Sequence, residues 1–301
     1  MPDHPHFIRF APLLFVSLWS TGFVAARYSM DSADPFVFLC LRFSLTALAL
    51  VPILIWFKIP LPKRIWAHRH DMVTGVLLHC CYLGFLFWPI KNGMPTGIVA
   101  IIIGVQPILT MVLARLFIGE SLNLRKALGL AIGFVGVATV ILGKFGFALD
   151  PGSGLDYVDL GMCLISLFAI AFGVFYQKKF SDQSNLMAST LVQYLAASIA
   201  TAGFALLFGE SWVIDWSSGF IIALSWQVFG LSIAAVVILM FIIKLGEAGR
   251  VSSMFYLVPP LVVVEAHFLF GETLGIISIL GMLMCVVGVY FVNQRTVAKV
   301  V

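Results

Sequence analysis

Runs of about twenty apolar residues recur along almost the whole chain, and they limit the folds that it can adopt. Only 11% of the 301 residues are charged, whereas 61% are hydrophobic. A water-soluble globule needs more polar surface than this composition provides. The runs suit a bilayer instead, because about 20 helical residues cross its hydrocarbon core of about 30 Å. The chain is therefore predicted to be an all-α polytopic membrane protein.

Charges or turn residues separate the apolar runs and divide the chain into ten predicted transmembrane helices. The first run resembles a secretory signal peptide, but Arg9 is the only Lys or Arg before it, and the chain continues past Arg27 into a second run. We therefore interpret it as a retained span. The predicted spans are residues 10–27, 35–57, 72–90, 96–118, 124–143, 158–178, 187–208, 221–243, 251–270 and 274–293.

Basic residues are distributed unequally between the two sides of the predicted membrane. Of the 18 Lys and Arg residues, fourteen fall on the side of the amino terminus, and Arg42 lies within the second span. Only Arg27, Lys91 and Lys144 fall on the other side. Cytoplasmic loops carry such an excess of positive charge. Both termini are therefore predicted to face the cytoplasm, and the net charge of +4 does not indicate a nucleic-acid partner.

Nothing in the sequence indicates a metal site, a cofactor or an enzyme. The predicted spans contain neither paired aspartates nor a His-Glu-x-x-His motif, and the chain lacks the nucleotide-binding motif Gly-x-x-x-x-Gly-Lys-Ser/Thr. Five cysteines fall within the spans without metal-ligand spacing, and we interpret them as small buried thiols. They are Cys40, Cys80, Cys81, Cys163 and Cys285.

The second half of the chain repeats the first. Near the amino ends of the halves, an offset of 151 residues pairs Arg42 with Gln193 and Gly22 with Gly173. Matches on one ungapped offset indicate a duplication. At an offset of 152 residues the matches are Gly97 with Gly249, Pro107 with Pro259, Gly119-Glu120 with Gly271-Glu272, Gly129 with Gly281, and Gly136 with Gly288.

Each half holds five predicted spans, and this odd number makes the second half enter the membrane from the opposite side. The predicted organisation is a first repeat at residues 1–148, an external linker at residues 149–157 and a second repeat at residues 158–301. Inverted repeats suit alternating access, because two related halves can exchange conformations and expose a central site to either side.

The repeated blocks resemble those of a known family. The segment Leu18-Trp19-Ser20-Thr21-Gly22-Phe23-Val24-Ala25 ends the first span, and Pro107 stands twelve residues before Gly119-Glu120. The same block, from proline to Gly-Glu, recurs in the second half. These motifs are similar to those of the drug/metabolite transporter superfamily, specifically its EamA-domain exporters of the YddG type. The resemblance covers nearly the whole chain as two EamA-like halves.

The resemblance implies ten helices in two inverted five-helix repeats, around a cavity lined mainly by spans 1, 3, 4, 6, 8 and 9. It implies a secondary exporter of small metabolites, with amino acids preferred, in the bacterial inner membrane. Efflux of cationic drugs and passive conduction through a channel are the alternatives. The expected partners are the lipid bilayer and a small-molecule substrate, and both a monomer and a homodimer stay open.

Two ionisable side chains of the predicted cavity fall at membrane depth. A charge there costs about 2.5–3.5 kcal/mol on insertion scales, so such a residue normally faces a cavity or a partner. The repeat counterpart of Glu265 is Leu113, so the duplicated scaffold does not require an acid. His79 can relay a proton near neutral pH. We predict that both couple proton movement to transport; simple hydrogen bonds to a neighbouring helix are the alternative interpretation.

Three prolines interrupt the predicted helices. Pro107, Pro259 and Pro260 lack an amide hydrogen, and each therefore frees the carbonyl four residues earlier. We predict that they act as hinges; ligation of substrate by the freed carbonyls, and kinks needed only for packing, are the alternatives.

The other predicted cavity residues carry aromatic rings or amides. Aromatic faces can receive cationic or aromatic substrates, and amides can orient a carboxylate or an amine. Arg42 is expected to pair with another helix or to snorkel to the external surface, in preference to binding substrate. The predicted cavity residues are Trp19, Tyr82, Gln106, Phe172, Tyr176, Gln227 and Tyr256.

Overall fold

The computed structural model describes residues 5–60, 65–118, 124–145, 156–180, 186–238, 258–271 and 275–293. These residues are predominantly helical, and no strand occurs among them. A 3₁₀ turn, Ile65–His68, precedes α3. The α-helices are α1 (Pro5–Met30), α2 (Pro35–Trp56), α3 (Arg69–Gly75), α4 (Tyr82–Lys91), α5 (Thr96–Ile103), α6 (Gln106–Ile118), α7 (Leu124–Phe145), α8 (Tyr157–Phe180), α9 (Leu186–Leu207), α10 (Ser218–Ser225), α11 (Val258–Phe270) and α12 (Ile276–Asn293).

Several continuous helical segments, here called rods, match the apolar runs in both length and composition; a rod can contain more than one of the helices named above. Across the described ranges, six are long and apolar enough to cross a membrane. The chain is therefore an all-α, multi-pass membrane protein. The six rods are Pro35–Trp56, Trp66–Lys91, Thr96–Phe117, Tyr157–Phe180, Leu186–Leu207 and Ser218–Ile238.

Two of these rods widen from α-helix into π-helix near their middle. Val76–Cys81, here called the first π segment, joins α3 to α4, and Trp226–Ala234, the second π segment, continues α10. An offset of 151 carries residues 76–81 onto residues 227–232, inside the second segment. π segments interrupt regular α-helical bonding and occur frequently at functional sites. Both halves therefore contain the same irregularity at the same place.

The second helix of each half also ends in the same way. After α2 and α9, the amides of Ile59 and Glu210 each donate to the carbonyl five residues earlier, over 2.9 Å. Lys58 (φ 53°) and Gly209 (φ 66°) adopt the left-handed conformation that this helix end requires. Because Lys58 and Gly209 are 151 residues apart, the backbone geometry repeats at the offset found in the sequence.

α7 and α12 cross in close contact through small residues. A Cβ on Gly136 would lie 2.7 Å from the carbonyl oxygen of Gly281, and one on Gly288 would lie 2.6 Å from that of Gly129. The contacts descend one helix as they ascend the other, so the two helices run antiparallel. Gly129 and Gly136 are the repeat counterparts of Gly281 and Gly288, so the crossing is reciprocal. A two-fold relation between the halves produces this pattern, and small residues allow such close approach.

The main hydrophobic cluster joins both halves of the chain. Phe15 of α1, Phe38 and Phe43 of α2, and Phe220 of α10 are fully buried within it. α2 packs along α9, while α1 packs against α10, α11 and the second π segment. Polar side chains that point inward from α1, α2 and α9 therefore lie between elements of both repeats.

Candidate transport site

The rod that contains Pro107 breaks immediately before this residue. α5 ends at Ile103, residues 104–105 form a turn, and α6 begins at Gln106. The amides of Gly104 and Val105 donate to carbonyls four and three residues earlier, over 2.8 and 3.2 Å. Proline cannot continue the helical hydrogen-bond series, which accounts for a break at this point. The break gives the rod a place to bend, and its use as a hinge stays a prediction.

The prolines of the second half belong to α11, whose described residues begin at Val258. The use of Pro259 and Pro260 as hinges stays a prediction. Tyr256, predicted to line the cavity, lies outside the described residues.

Glu265 of α11 faces α1. The hydroxyl of Ser20, which is itself fully buried, donates to Oε1 of Glu265 over 2.7 Å. Oε2 is buried and has no hydrogen-bond partner among the described residues. A buried polar atom without a partner is costly, since it has lost its water and gained nothing in exchange. A proton or an ammonium group would satisfy this oxygen.

Arg42 of α2 reaches the second π segment. Its Nε and Nη2 donate to Oγ of Ser232 over 3.2 and 3.1 Å, and its Nη1 donates to Oε1 of Gln227 over 2.5 Å. Gln227 in turn donates to the hydroxyl of Ser29 on α1 over 3.3 Å. The Cζ of Arg42 lies 5.6 Å from the ring centroid of Phe43. Arg42 therefore does not snorkel to the surface; it is held in the interior by neutral acceptors.

The first π segment is contacted by α9 through His79, at a different position within the segment. The Nε2 of His79 donates to Oε1 of Gln193 on α9 over 3.3 Å, and its ring lies 4.6 Å from that of Tyr194. Gln193 is the repeat counterpart of Arg42. The second helix of each half therefore sends one polar side chain into the π segment of the other half, and only the first half supplies a charged one.

The Glu265 site and the Arg42 site lie at different depths. Ser20 contacts Glu265, while Ser29 contacts Gln227, the partner of Arg42. These serines are nine residues apart on α1, which corresponds to about 13.5 Å along the helix. The two sites therefore contact α1 about two and a half helical turns apart.

Trp19, Tyr82 and Gln106 are positioned by helix contacts. The Trp19 ring lies 5.5 Å from that of Phe15, and Tyr82 is buried in the main cluster. Gln106 donates to the hydroxyl of Thr110, one turn further along α6, over 2.8 Å. Trp19, Tyr82 and Gln106 stay candidates for contact with a substrate.

Phe172 and Tyr176 belong to the other end of the bundle, where α8 meets α3. The hydroxyl of Tyr176 lies 2.8 Å from Nδ1 of His70, and its ring centroid lies 4.7 Å from that of Phe180, with the two rings tilted by 45°. Phe172 is 38% exposed and lies 6.2 Å from Tyr176. Tyr176 thus contacts α3 and its own helix, whereas Glu265 contacts α1.

An apolar groove of about 240 Å³ separates α1 from α10. Its walls include Val24, Tyr28 and Ile222, together with Trp226, whose Nε1 donates to Oγ1 of Thr21 over 2.8 Å. On α1 the groove is lined by residues of one face, from Thr21 to Tyr28.

Comparisons with known proteins identify relatives of the whole chain. The model of the EamA-like transporter family matches twice, at residues 8–142 and 159–294. The "probable amino-acid metabolite efflux pump" of Escherichia coli (strain K12) is 25% identical over 290 residues, which cover 92% of each chain. The uncharacterized inner membrane transporter YedA of the same strain is 26% identical over 288 residues, covering 92% of this chain and 87% of YedA.

One solved crystal structure shares the fold. It is 16% identical in sequence and aligns with a TM-score of 0.65 over 94% of this chain and 98% of its own. At this identity the likeness concerns the fold alone.

Proposed function

Because this chain belongs to the EamA-like transporter family, we propose that it is a secondary exporter of small metabolites, with amino acids as preferred substrates. The chain is a membrane transporter and not an enzyme. One relative carries the name "probable amino-acid metabolite efflux pump", which supports export as the direction. The absence of a nucleotide-binding motif from the sequence favours transport driven by a gradient or a coupled ion.

We propose alternating access between two inverted five-helix repeats, at residues 1–148 and 158–301, joined by the linker 149–157. The reciprocal crossing of α7 and α12 and the repeated helix ends support this arrangement. The unequal distribution of Lys and Arg supports cytoplasmic termini and a place in the bacterial inner membrane. Bending at residues 104–105, beside Pro107, would let one half open while the other closes.

The observation that carries the proposal is the unpaired carboxylate oxygen of Glu265. In the proposed cycle this carboxylate holds either a proton or the ammonium group of a substrate, so release of one accompanies binding of the other. The proton enters the cytoplasm as the substrate leaves it. An acid at membrane depth typically marks such an ion or substrate pathway.

The test is counterflow in proteoliposomes with Glu265→Gln. Labelled neutral, aromatic and cationic amino acids are offered beside a quaternary-ammonium drug, with and without a pH gradient. We expect the variant to insert and fold normally but to lose acceleration by the gradient. Asp215→Asn, at an exposed position before α10, is the matched control and should behave as the wild type. Full activity of Glu265→Gln with an unchanged pH dependence would end the proposed role.

Efflux of cationic drugs is the second candidate, favoured by the same unpaired oxygen, which suits any cation. The substrate panel separates the two, because saturable counterflow of the drug without that of amino acids would select the second. Flux that never saturates and shows no counterflow would instead select a passive channel.

A further inference from the structure

Arg42 carries a positive charge in the interior without a negative partner. Its side chain is 7% exposed, and no Asp or Glu within the described ranges lies within 4.0 Å of it. Buried charges are normally paired, because removal from water is not repaid by neutral neighbours alone. The positive charge of Arg42 is therefore uncompensated by the described residues, and a bound anion would stabilise it.

The guanidinium also has donors to spare. It has five N–H groups, and the hydrogen bonds to Ser232 and Gln227 use three of them. One N–H on Nη1 and one on Nη2 remain without an acceptor among the described residues. A carboxylate accepts two parallel N–H bonds from a guanidinium, and such charge-assisted bonds are about twice as strong as neutral ones. Neutral acceptors such as the amide of Gln227 can thus yield to a carboxylate.

The surroundings hold the guanidinium in a fixed orientation. The hydroxyl of Ser232, which accepts from Nε and Nη2, donates to the carbonyl of Gln227 across the π turn over 2.9 Å. The hydroxyl of Tyr194 donates to the carbonyl of Ser232 over 3.3 Å. These bonds position Ser232, and through it one edge of Arg42. A pre-oriented donor pair binds a planar anion with little further ordering.

The repeat shows that this position does not need a charge to fold. Gln193 occupies the equivalent place on α9 and also contacts the π segment of the other half, at His79, using a neutral amide. A glutamine therefore suffices for contact between the halves, and the guanidinium is a chemical addition in the first half.

From these observations we propose that Arg42 binds the carboxylate of the exported substrate, with Ser232 and Gln227 as positioning residues. The proposal rests on the export function proposed above and specifies that the substrates carry a carboxylate. Glu265 and Gln227 contact α1 at Ser20 and Ser29, about 13.5 Å apart along that helix, so in this proposal the ammonium and the carboxylate of the substrate occupy the Glu265 and Arg42 sites at different stages of transport.

The test compares matched ligands that differ only at the carboxylate. Phenylalanine is compared with phenylalaninamide, and 3-phenylpropionate with its amide. The apparent Kd of each ligand is obtained from the thermal stabilisation that it gives the full-length protein in detergent. Counterflow is measured in parallel. We expect the wild type to prefer each carboxylate by about tenfold or more. In Arg42→Gln, which copies the residue of the other half, the preference should fall to near unity. Arg42→Lys should retain part of it, because lysine keeps the charge but not the paired donors.

Three results would overturn the proposal, and each can be told apart from failure of the export function. A wild type that does not distinguish carboxylates from amides excludes the site without any variant, even where Arg42→Gln does not fold. A folded Arg42→Gln that keeps the wild-type ratio shows that Arg42 only holds helices together. Amino-acid counterflow in which amides compete equally also removes the site while leaving export intact. Conversely, Arg42-dependent binding of 3-phenylpropionate without amino-acid counterflow supports the site and refutes the proposed substrate.

Discussion

Replacing Gly136 with alanine places a methyl group against the backbone of the neighbouring helix. A Cβ at this position would lie 2.7 Å from the carbonyl oxygen of Gly281 and 2.8 Å from the amide nitrogen of Cys285. Ordinary contacts begin at 3.4 Å, so α7 and α12 must separate by about 0.7 Å (3.4 − 2.7). Because the oxygen and the nitrogen belong to the backbone, a change of rotamer cannot relieve the overlap.

The expected loss of stability follows from two opposing effects. Overpacking a close contact costs about 1–3 kcal/mol, and a backbone obstacle places this contact in the upper part of that range. Alanine recovers roughly 0.5–1 kcal/mol, because glycine is unfavourable inside a helix. The net destabilisation is therefore about 1–2 kcal/mol. Contacts between helices in lipid depend on van der Waals packing, so bilayer or detergent does not compensate for the lost fit.

The reciprocal position makes the prediction sharper. A Cβ on Gly288 would lie 2.6 Å from the carbonyl oxygen of Gly129 and 2.6 Å from the amide nitrogen of Gly133, so Gly288→Ala should cost about as much as Gly136→Ala. One separation of the helices relieves both overlaps. The double variant should therefore lose less stability than the sum of the single losses.

The assay is the midpoint of heat-induced loss of the monodisperse peak, followed by fluorescence-detected size-exclusion chromatography. Gly203→Ala is the control, because it lies inside α9 and a Cβ there meets nothing within 4 Å. We expect midpoints several degrees lower for Gly136→Ala and Gly288→Ala, at about 2–4 °C per kcal/mol, and an unchanged or higher midpoint for Gly203→Ala. If Gly136→Ala is as stable as Gly203→Ala, the close antiparallel crossing is wrong.

Two further substitutions test contacts between the halves. The carboxylate of Glu210, in the loop after α9, accepts hydrogen bonds from the amides of Phe36 and Val37 at the start of α2 over 2.9–3.2 Å. Glu210→Ala should cost about 0.5–2 kcal/mol of stability, as loss of a helix cap does. A melting midpoint equal to that of the wild type would show that water replaces the carboxylate. Gly75 lies directly against the backbone of Gln193; Gly75→Ala should lower the melting midpoint by several degrees, whereas a neutral effect would mean that α3 and α9 are not in close contact.

Much of the fold is visible in the sequence because a bilayer imposes simple rules. The apolar run predicted at residues 35–57 became Pro35–Trp56, and the run at 187–208 became Leu186–Leu207. Both predictions are confirmed to within a residue, since hydrophobic length and flanking polar residues decide where such helices end. The span predicted at 72–90 is longer in the structure, Trp66–Lys91, because its first turns carry polar and charged residues that hydropathy alone assigns to a loop.

The surroundings of Arg42 were less accessible to prediction. Gln227 and Ser232 are five residues apart, and on a regular α-helix this spacing places them about 140° apart, on different faces. The π segment brings the Oγ of Ser232 to the carbonyl of Gln227 and lets both residues reach Arg42. Propensity and hydropathy do not signal a π turn. The pairing of Arg42 with Gln193 at an offset of 151 was the available signal, because it related the two π-segment contacts.

The partner of Glu265 could not be predicted from the sequence, because it depends on the rotation of each helix about its own axis. The sequence identifies an acid that the repeat does not require, but contact with Ser20 needs α1 and α11 to face each other at one particular angle. That angle results from packing along the whole length of both helices, including Tyr28 against Phe270. Residue type therefore predicted the chemistry of Glu265, and only the three-dimensional packing reveals its partner.

The two halves agree in backbone geometry and differ in charge. The repeated helix ends, π segments and glycine crossing depend on main-chain packing, which both halves must share to fold together. In a carrier of inverted repeats with identical chemistry in both halves, the inward-facing and outward-facing states would have equal energy. A charge present in one half only meets different surroundings in the two states, so its proton or counter-ion shifts the balance between them. Charged side chains at the contacts between the halves that have neutral repeat counterparts include Arg42 (Gln193), Glu210 (Ile59) and Glu265 (Leu113). The direction of export should therefore depend on these three positions more than on the scaffold that presents them.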